Sequence, residues 1–457
     1  MTAITAFKAY DLRGRIPTEL NADIAYRVAR GYAAFLSPKR VCVGRDIRLS
    51  SAELAQSVIR GLVDSGVDVV DIGLCGTEGV YYATFALGLD GGIMVTASHN
   101  PPDYNGMKFV REGSRPISGD TGLKDIRRLA EAGSFPAAAR PGAVSAVDTG
   151  PRYVEHLLSY VDRRTLKPLK IVCNAGNGGA GLIIDKLAPQ LPFQWVKLNH
   201  EADGTFPNGV PNPMLEQNHA PVIEAVRRAR ADLGIAWDGD YDRCFFFDEE
   251  GTFIEGYYIV GLLASVFLKR HPGARIVHDP RLTWNTLDIV AGAGGEAVLC
   301  KSGHAFIKAR MREVDAVYGG EMSAHHYFRG FAYCDSGMIP WLVVAQVLSD
   351  TGKSLSSLVG ERMRLFPASG EINRRVPDGA RAIAAVEARY APGARGVDYT
   401  DGLSIEFDDW RLNLRSSNTE PLIRLNVESR GDLRLMKAKT AEILAFLDSM
   451  GAVAADH

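Results

Sequence analysis

Arg40–Ser50 (RVCVGRDIRLS), Leu169–Ala180 (LKIVCNAGNGGA) and Ala274–Asn285 (ARIVHDPRLTWN) read as one device used three times. Each is a β-branched run that ends in a polar loop and opens into a helix-like segment. After that helical stretch a second strand follows in each case: VDVVDIG from Val67, FQWVKLN from Phe193 and GEAVLCKSG from Gly295. A third strand then runs into a loop rich in polar residues, in GGIMVTASHN from Gly91, LGIAWDGDYDR from Leu233 and DAVYGGEMSAHH from Asp315. Short apolar runs alternating with longer helical patterns call for mainly parallel sheets covered on both faces. Such sheets bind ligands beyond the carboxyl ends of their strands. Ser98, the Asp238 cluster and Glu321 all fall there.

The fourth part has a different rhythm. From about Ser369 the pattern is strand, helix (Ala380–Tyr390), three strands near Leu403–Phe407, Trp410–Arg415 and Leu422–Glu428, and a last helix. Grouped strands with helices outside them predict an α+β domain. The expected fold is therefore three related three-layer α/β domains followed by a smaller C-terminal α+β domain. Their expected extents are 1–148, 149–252, 253–366 and 367–457. Ala- and Pro-rich Ser134–Pro151 is the clearest linker.

The 457 residues suit several domains rather than one. With 52 basic and 54 acidic residues, 46% apolar and 23% charged, nothing in the balance recruits nucleic acid or a membrane surface. Six cysteines, no two forming a CxxC pair, read as free thiols of a reducing compartment. No signal peptide is visible, and the apolar stretches, such as Tyr258–Leu268, are about half the length that spans a bilayer. The expected location is the cytoplasm.

Asp238-Gly-Asp240-Tyr-Asp242-Arg243 places three carboxylates at spacing two. In extended chain they point the same way and can converge on one hard cation. A calcium loop of the EF-hand type is a rival, since Glu249 stands at its twelfth position. However, Arg243 replaces the glycine that loop needs, and the flanks read as strands. An aspartate nucleophile and a simple acidic hairpin are further readings. Ser98 in Thr96-Ala-Ser98-His99-Asn-Pro101 is displayed at the end of a strand without the flanking glycines of a hydrolase elbow. A phosphoserine there would bring nearly two negative charges, a sensible partner for a cation held by aspartates. Arg415-Ser-Ser417-Asn418-Thr419-Glu-Pro421 combines a guanidinium with hydroxyl and amide donors, a pattern that suits phosphate. Arg424 follows on the next strand. Glu321 and Ser323, two apart in GEMSAH, can grip neighbouring sugar hydroxyls.

These four loops, in this order and along essentially the whole chain, resemble the α-D-phosphohexomutase family, in its phosphomannomutase/phosphoglucomutase branch. The resemblance implies four domains arranged around a central cleft. It also implies a reversible transfer of phosphoryl between the 1- and 6-positions of mannose, and of glucose, phosphate. The transfer would use a phosphoserine, magnesium and a hexose 1,6-bisphosphate intermediate. By motif, Ser98 would carry the phosphoryl group, and Asp238, Asp240 and Asp242, with the Ser98 phosphate, would hold magnesium. Arg243, Glu321, Ser323, Arg415, Ser417, Asn418, Thr419 and Arg424 would bind substrate. Further positions come from the family alone: Tyr10 and Arg13 in KAYDLRG, Lys108 in YNGMK as acid/base, His325 as another proton acceptor, Gly303 and His304 in KSGHAFIK, and Arg281 in HDPRLTWN. Ala324 departs from the glycine more usual in the sugar loop. Met322 favours mannose or glucose over glucosamine phosphate, whose mutases usually carry glutamine there. The alternatives are a phosphoglucosamine mutase, a serine-based sugar phosphatase and an inactive sugar-phosphate sensor.

Overall fold

The computed structural model describes residues 3–416 and 422–455. They form two compact units, one of Met1–Phe253 with His326–Gly352 and one of Ile254–His325 with Lys353–His457.

The repeat is realised as three copies of the same strand order. Arg40–Arg45 lies between Asp68–Leu74 and Gly91–Val95, parallel to both. Lys170–Asn174 lies likewise between Gln194–Leu198 and Leu233–Trp237. Arg275–His278 lies between Glu296–Leu299 and Tyr318–Gly320. Val41, Val43, Ile93, Val95, Ile171, Val172, Ile235, Ile276 and Val277 are all buried. This is why these strands read as continuous apolar runs rather than as alternations. Antiparallel strands continue the first two sheets: Tyr104–Arg111 pairs with Gly91–Val95, and Cys244–Phe247 with Leu233–Trp237; His326–Phe328 and Cys334–Asp335 also pair antiparallel.

The stretch expected to be a linker is partly strand. Val144–Ala146 adds in parallel to Asp68–Leu74, with the Ala143 amide donating to Asp68. The helix Gly150–Leu158 begins inside the same stretch. An exposed three-residue edge strand carries no apolar alternation, so composition alone could not show it.

The third repeat is shared between the units. Its parallel strands belong to the second, whereas the helix Met338–Thr351 belongs to the first. The physical reason lies in that helix's packing, which buries it nearly all round. Trp341 meets Trp195 edge-on at 5.7 Å, and the Trp237 indole donates to the Gly337 carbonyl at 2.9 Å. The second unit joins the remainder of this repeat to the C-terminal sheet through the buried Glu428 carboxylate. Glu428 accepts from Thr283 N at 2.7 Å, from Arg411 Nη1 at 2.9 Å and from the Tyr257 hydroxyl.

The C-terminal sheet is antiparallel throughout, in the order Gly396–Asp398, Leu403–Glu406, Trp410–Ser416, Leu422–Ser429, Ile372–Arg375, Val453–Ala454. Helices Gly379–Tyr390 and Leu433–Ser449 are capped by Asp378 and Asp432, whose carboxylates accept first-turn amides. They pack Val386, Ile443 and Leu447 onto Leu412, Leu414, Leu425 and Val427. Among the described residues no helix is long and apolar enough to cross a membrane.

The first sheet and the second approach each other closely at one glycine of the first unit. Gly76, just before the helix Thr77–Ala86, donates its amide to the Tyr241 hydroxyl at 2.7 Å. A Cβ at Gly76 would lie 2.3 Å from the Tyr241 ring and 2.4 Å from the Asp240 carbonyl oxygen. Gly76→Ala is therefore expected to destabilise the protein by about 2 kcal/mol through overpacking against an aromatic ring and backbone. Urea unfolding checks this, with an unchanged midpoint as the contrary result.

Candidate active site

The first unit assembles one polar cluster. The strand Gly91–Val95 ends in a turn that places Ser98 in the left-handed region, at φ 50, with its side chain buried. A buried arginine from the loop after Arg40–Arg45 holds this turn. Arg48 donates to the carbonyls of Ser98 at 2.9 Å, Asn100 at 2.5 Å, Pro101 at 2.7 Å and Tyr104 at 3.0 Å. Ser98 Oγ donates to Asp238 Oδ2 at 2.7 Å, and His99 Nδ1 lies 3.1 Å from Ser98 Oγ.

The Asp238 loop follows the strand Leu233–Trp237. Asp238, Asp240 and Asp242 are all buried, and each offers an oxygen within 4.8 Å of the others. Tyr241 between them sits at φ 48. Lys108, from the antiparallel strand, donates to Asp240 at 2.8 Å and Asp242 at 2.6 Å. Thr77 also donates to Asp240, and its hydroxyl accepts from Lys108 at 3.1 Å.

Burial first, then Asp242 and Asp240, push Asp238 up to about 7. Burial would raise Asp240 as well, but the Lys108 ammonium holds it below the usual carboxylate range. Burial would lower Lys108, and the two carboxylates more than reverse that, so it stays charged. His99 is pushed well below its usual value by burial, Arg243 and Arg13, and is neutral near pH 7.

The donor set suits a hard divalent cation. It is all oxygen, three carboxylates face one ammonium, and Asp240 Oδ1 is buried with no hydrogen-bond partner among the described residues. Around this cluster Arg13 donates to Asn100 Oδ1 at 2.6 Å and to Asp11 at 2.8 Å, while Arg243 Nε lies 3.7 Å from Asp238. Tyr10 is half-buried two residues before Leu12–Arg15.

The second unit assembles another cluster. Glu321 and Ser323 follow the strand Tyr318–Gly320 in a tight loop closed by Glu321 N donating to the His325 carbonyl at 2.9 Å. Ala324 adopts φ 67 there, a region that glycine enters more readily than alanine. Glu321 Oε2 accepts the Gly303 amide at 2.9 Å, at the start of the helix His304–Val314. Arg281 Nη2 donates to Ser323 Oγ at 3.2 Å and to Glu321 at 3.4 Å, and is itself fixed by Asp279 at 2.8 Å. Arg415 and Arg424, side by side on neighbouring strands, both donate to Glu371, at 3.0 and 3.1 Å.

The structure thus brings Ser98, Lys108, Arg13, Arg243 and the three aspartates into one cluster. Arg281, Gly303, Glu321, Ser323, Arg415 and Arg424 form the other. His304 heads its helix and His325 closes the loop that carries Glu321 and Ser323. Ser417, Asn418 and Thr419 lie outside the described residues. Sequence reasoning missed Thr77, Arg48, His99, Asp279 and Glu371. His99 and Asp279 lie inside the motifs that carry the resemblance, whereas Thr77, Arg48 and Glu371 carry no local signal and act through partners far along the chain.

Four family models match the chain in order. They are phosphoglucomutase/phosphomannomutase α/β/α domain I over residues 5–137, domain II over 151–251, domain III over 255–366 and the C-terminal domain over 371–446. A phosphomannomutase of Salmonella montevideo is 60% identical over 456 residues, covering 98% of this chain and 100% of that protein. A phosphohexose mutase of Xanthomonas campestris is 60% identical over 440 residues, covering 96% and 98%. The crystal structure of a phosphoglucomutase/phosphomannomutase family protein from Burkholderia thailandensis superposes with a TM-score of 0.88 at 33% identity, covering 98% of each chain.

Charge balance in the aspartate cluster sets two expectations. Lys108→Met removes the ammonium from Asp240 and Asp242, and the metal-free protein should lose about 3 kcal/mol in urea unfolding. A saturating divalent cation should then restore more stability to the variant than it adds to the native protein. The second expectation concerns pH. Asp238 has a folded value above its unfolded one, so its contribution to metal-free stability is complete below about pH 4 and is lost as pH rises through about 7. Cation affinity, which needs the ionised carboxylate, should rise over the same window. Unfolding in chelator and calorimetric titration of the cation at matched pH check both signs, and Asp238→Asn should flatten both profiles.

Proposed function

This chain belongs to the phosphoglucomutase/phosphomannomutase family, and from that premise we propose the reaction it performs and the residues that perform it. It is an isomerase, and the substrate proposed is mannose phosphate, with glucose phosphate also accepted. Its phosphoryl group passes between positions 1 and 6 by way of Ser98 and a hexose 1,6-bisphosphate.

The observation that carries this reading is the 2.7 Å hydrogen bond from Ser98 Oγ to Asp238, inside a cluster of three buried carboxylates. An ordinary surface serine has no such surroundings. Magnesium held by Asp238, Asp240 and Asp242 would neutralise charge on the phosphoryl oxygens during transfer. In the first half-reaction a substrate hydroxyl attacks phosphorus, the bond from phosphorus to Ser98 Oγ breaks, and the bisphosphate forms. In the second, Ser98 Oγ attacks the other phosphate, the bond from that phosphorus to the sugar oxygen breaks, the oxygen leaves as a protonated hydroxyl, and Ser98 regains a phosphoryl group.

The proton of each attacking hydroxyl must leave, and each departing oxygen must be balanced. Lys108 is expected as an acid/base from the resemblance, and its ammonium stands 2.8 Å from Asp240 and 2.6 Å from Asp242 within the cluster. Neutral His99 lies 3.1 Å from Ser98 Oγ, whose own proton goes to Asp238, so an Nδ1–H there would donate to that oxygen. Arg13 and Arg243 supply positive charge near the transferred group. Glu321 and Ser323 would grip sugar hydroxyls, and Arg281 aims both. Arg415 and Arg424, with Ser417, Asn418 and Thr419, would hold the phosphate that is not reacting. A cradle that recognises phosphate rather than sugar can serve both orientations of the bisphosphate. Six free cysteines suit the reducing cytoplasm, where sugar phosphates are found.

Mannose 1-phosphate and glucose 1-phosphate, each supplied with magnesium and a trace of hexose 1,6-bisphosphate, test the substrate. Conversion of both to the 6-phosphates without net phosphate release is expected. Steady release of phosphate would instead identify a phosphatase, and preference for glucosamine phosphate would overturn the substrate. Ser98→Ala should lower kcat by roughly a thousandfold or more while calorimetry still detects hexose phosphate binding.

A further inference from the structure

Three arginines meet on one carboxylate in the second unit. Glu371, just ahead of the strand Ile372–Arg375, has a side chain only 3% exposed. Its Oε2 accepts from Arg415 at 3.0 Å and Arg281 at 3.4 Å, and its Oε1 accepts from Arg424 at 3.1 Å. Burial would raise its pKa, but Arg415, Arg424 and Arg281 together hold it well below the usual carboxylate range, so it stays anionic. Arg415 Nε is buried with no hydrogen-bond partner among the described residues, so that guanidinium keeps an unused donor.

A structural ion pair needs one arginine on a carboxylate. Here one terminal nitrogen each of Arg415 and Arg424 is engaged by a built-in anion, whose charge already offsets theirs. An arriving phosphate meets guanidinium groups that Glu371 has partly neutralised. In a reaction whose intermediate must be released, turned and gripped again on every turnover, a cradle that binds too tightly is slow.

We propose that Glu371 is a positioning residue that competes with phosphate for Arg415 and Arg424, aiming both guanidinium groups while keeping their hold weak enough for the bisphosphate to turn. This rests on reading Arg415 and Arg424 as phosphate ligands. Through Arg281, which also reaches Ser323 and Glu321, Glu371 joins that cradle to the sugar loop.

The test is calorimetric titration of inorganic phosphate into the full-length protein, paired with steady-state kinetics on mannose 1-phosphate. Glu371→Gln keeps the shape and removes the charge. It should bind phosphate about fivefold more tightly, and KM and kcat should fall together. A merely structural carboxylate would give the opposite split, with KM rising and phosphate affinity falling, and that result overturns the proposal, as does no change in either. Glu371→Asp guards against a variant that fails to fold: its shorter side chain cannot engage all three arginines, and phosphate affinity should rise about twofold. Arg415→Met with Arg424→Met separates the two claims. If that double variant still binds phosphate, the cradle reading itself fails. If it loses phosphate while Glu371→Gln binds no more tightly than the native protein, only the competition fails.

Discussion

The Lys108 ammonium, 2.8 Å from Asp240 and 2.6 Å from Asp242, answers the constraint on which the rest of the first unit's chemistry depends. Three carboxylates cannot be buried within 4.8 Å of one another unless positive charge comes with them. The compensation is collected from separate parts of the chain. Lys108 comes from a strand of the first sheet, Thr77 from a helix N-terminus and Ser98 from a strand-end turn, while the aspartates belong to the second sheet. Satisfying the cluster therefore requires both sheets to be formed, so the packing of Gly76 against Tyr241 is part of the site and not only of the core.

The second unit balances its charges by another arrangement. There Arg281, Arg415 and Arg424 converge on Glu371, and Arg281 is also paired with Asp279 and Glu321. Buried ion pairs add little to stability, because desolvation offsets most of the Coulombic gain. What they supply here is aim: guanidinium and carboxylate groups held in fixed directions where charge will move. Each cluster holds a counter-ion of its own, and the binding of a ligand has to be set against that counter-ion.

How far the sequence discloses this depends on whether a signal is local. The strand triplets were legible because β-branched runs buried on both faces look alike in all three copies, and the C-terminal domain because its strands come grouped. Ser98, the aspartates and Glu321 were legible because each sits in a loop whose residue types make sense together, and Arg415 because it stands at the end of the strand that leads into such a stretch. Glu371 was not: the segment around it, Gly370-Glu-Ile-Asn-Arg, resembles the start of any strand, and its meaning comes from arginines 44, 53 and 90 residues away. Arg48 escaped notice for the same reason, since its four carbonyl partners lie 50 to 56 residues on. The division into units was hidden too, because it turns on where the helix Met338–Thr351 buries its tryptophan.

Backbone strain in the three functional loops has a common origin. Ser98, Tyr241 and Ala324 all follow the third strand of their repeat, and all three adopt positive φ without being glycine. An alanine in that region costs about 1 kcal/mol relative to the right-handed form. Ala324 tolerates it because the loop around it is closed twice, by Glu321 N to the His325 carbonyl at 2.9 Å and by Ala324 N to the Glu321 carbonyl at 3.0 Å. With the turn fixed in this way, Glu321 and Ser323 both meet Arg281. A glycine would adopt the same φ without strain but would also leave the loop freer when unfolded. Alanine here therefore carries local strain where a glycine would carry chain entropy, and Glu321 and Ser323 are held in the same place.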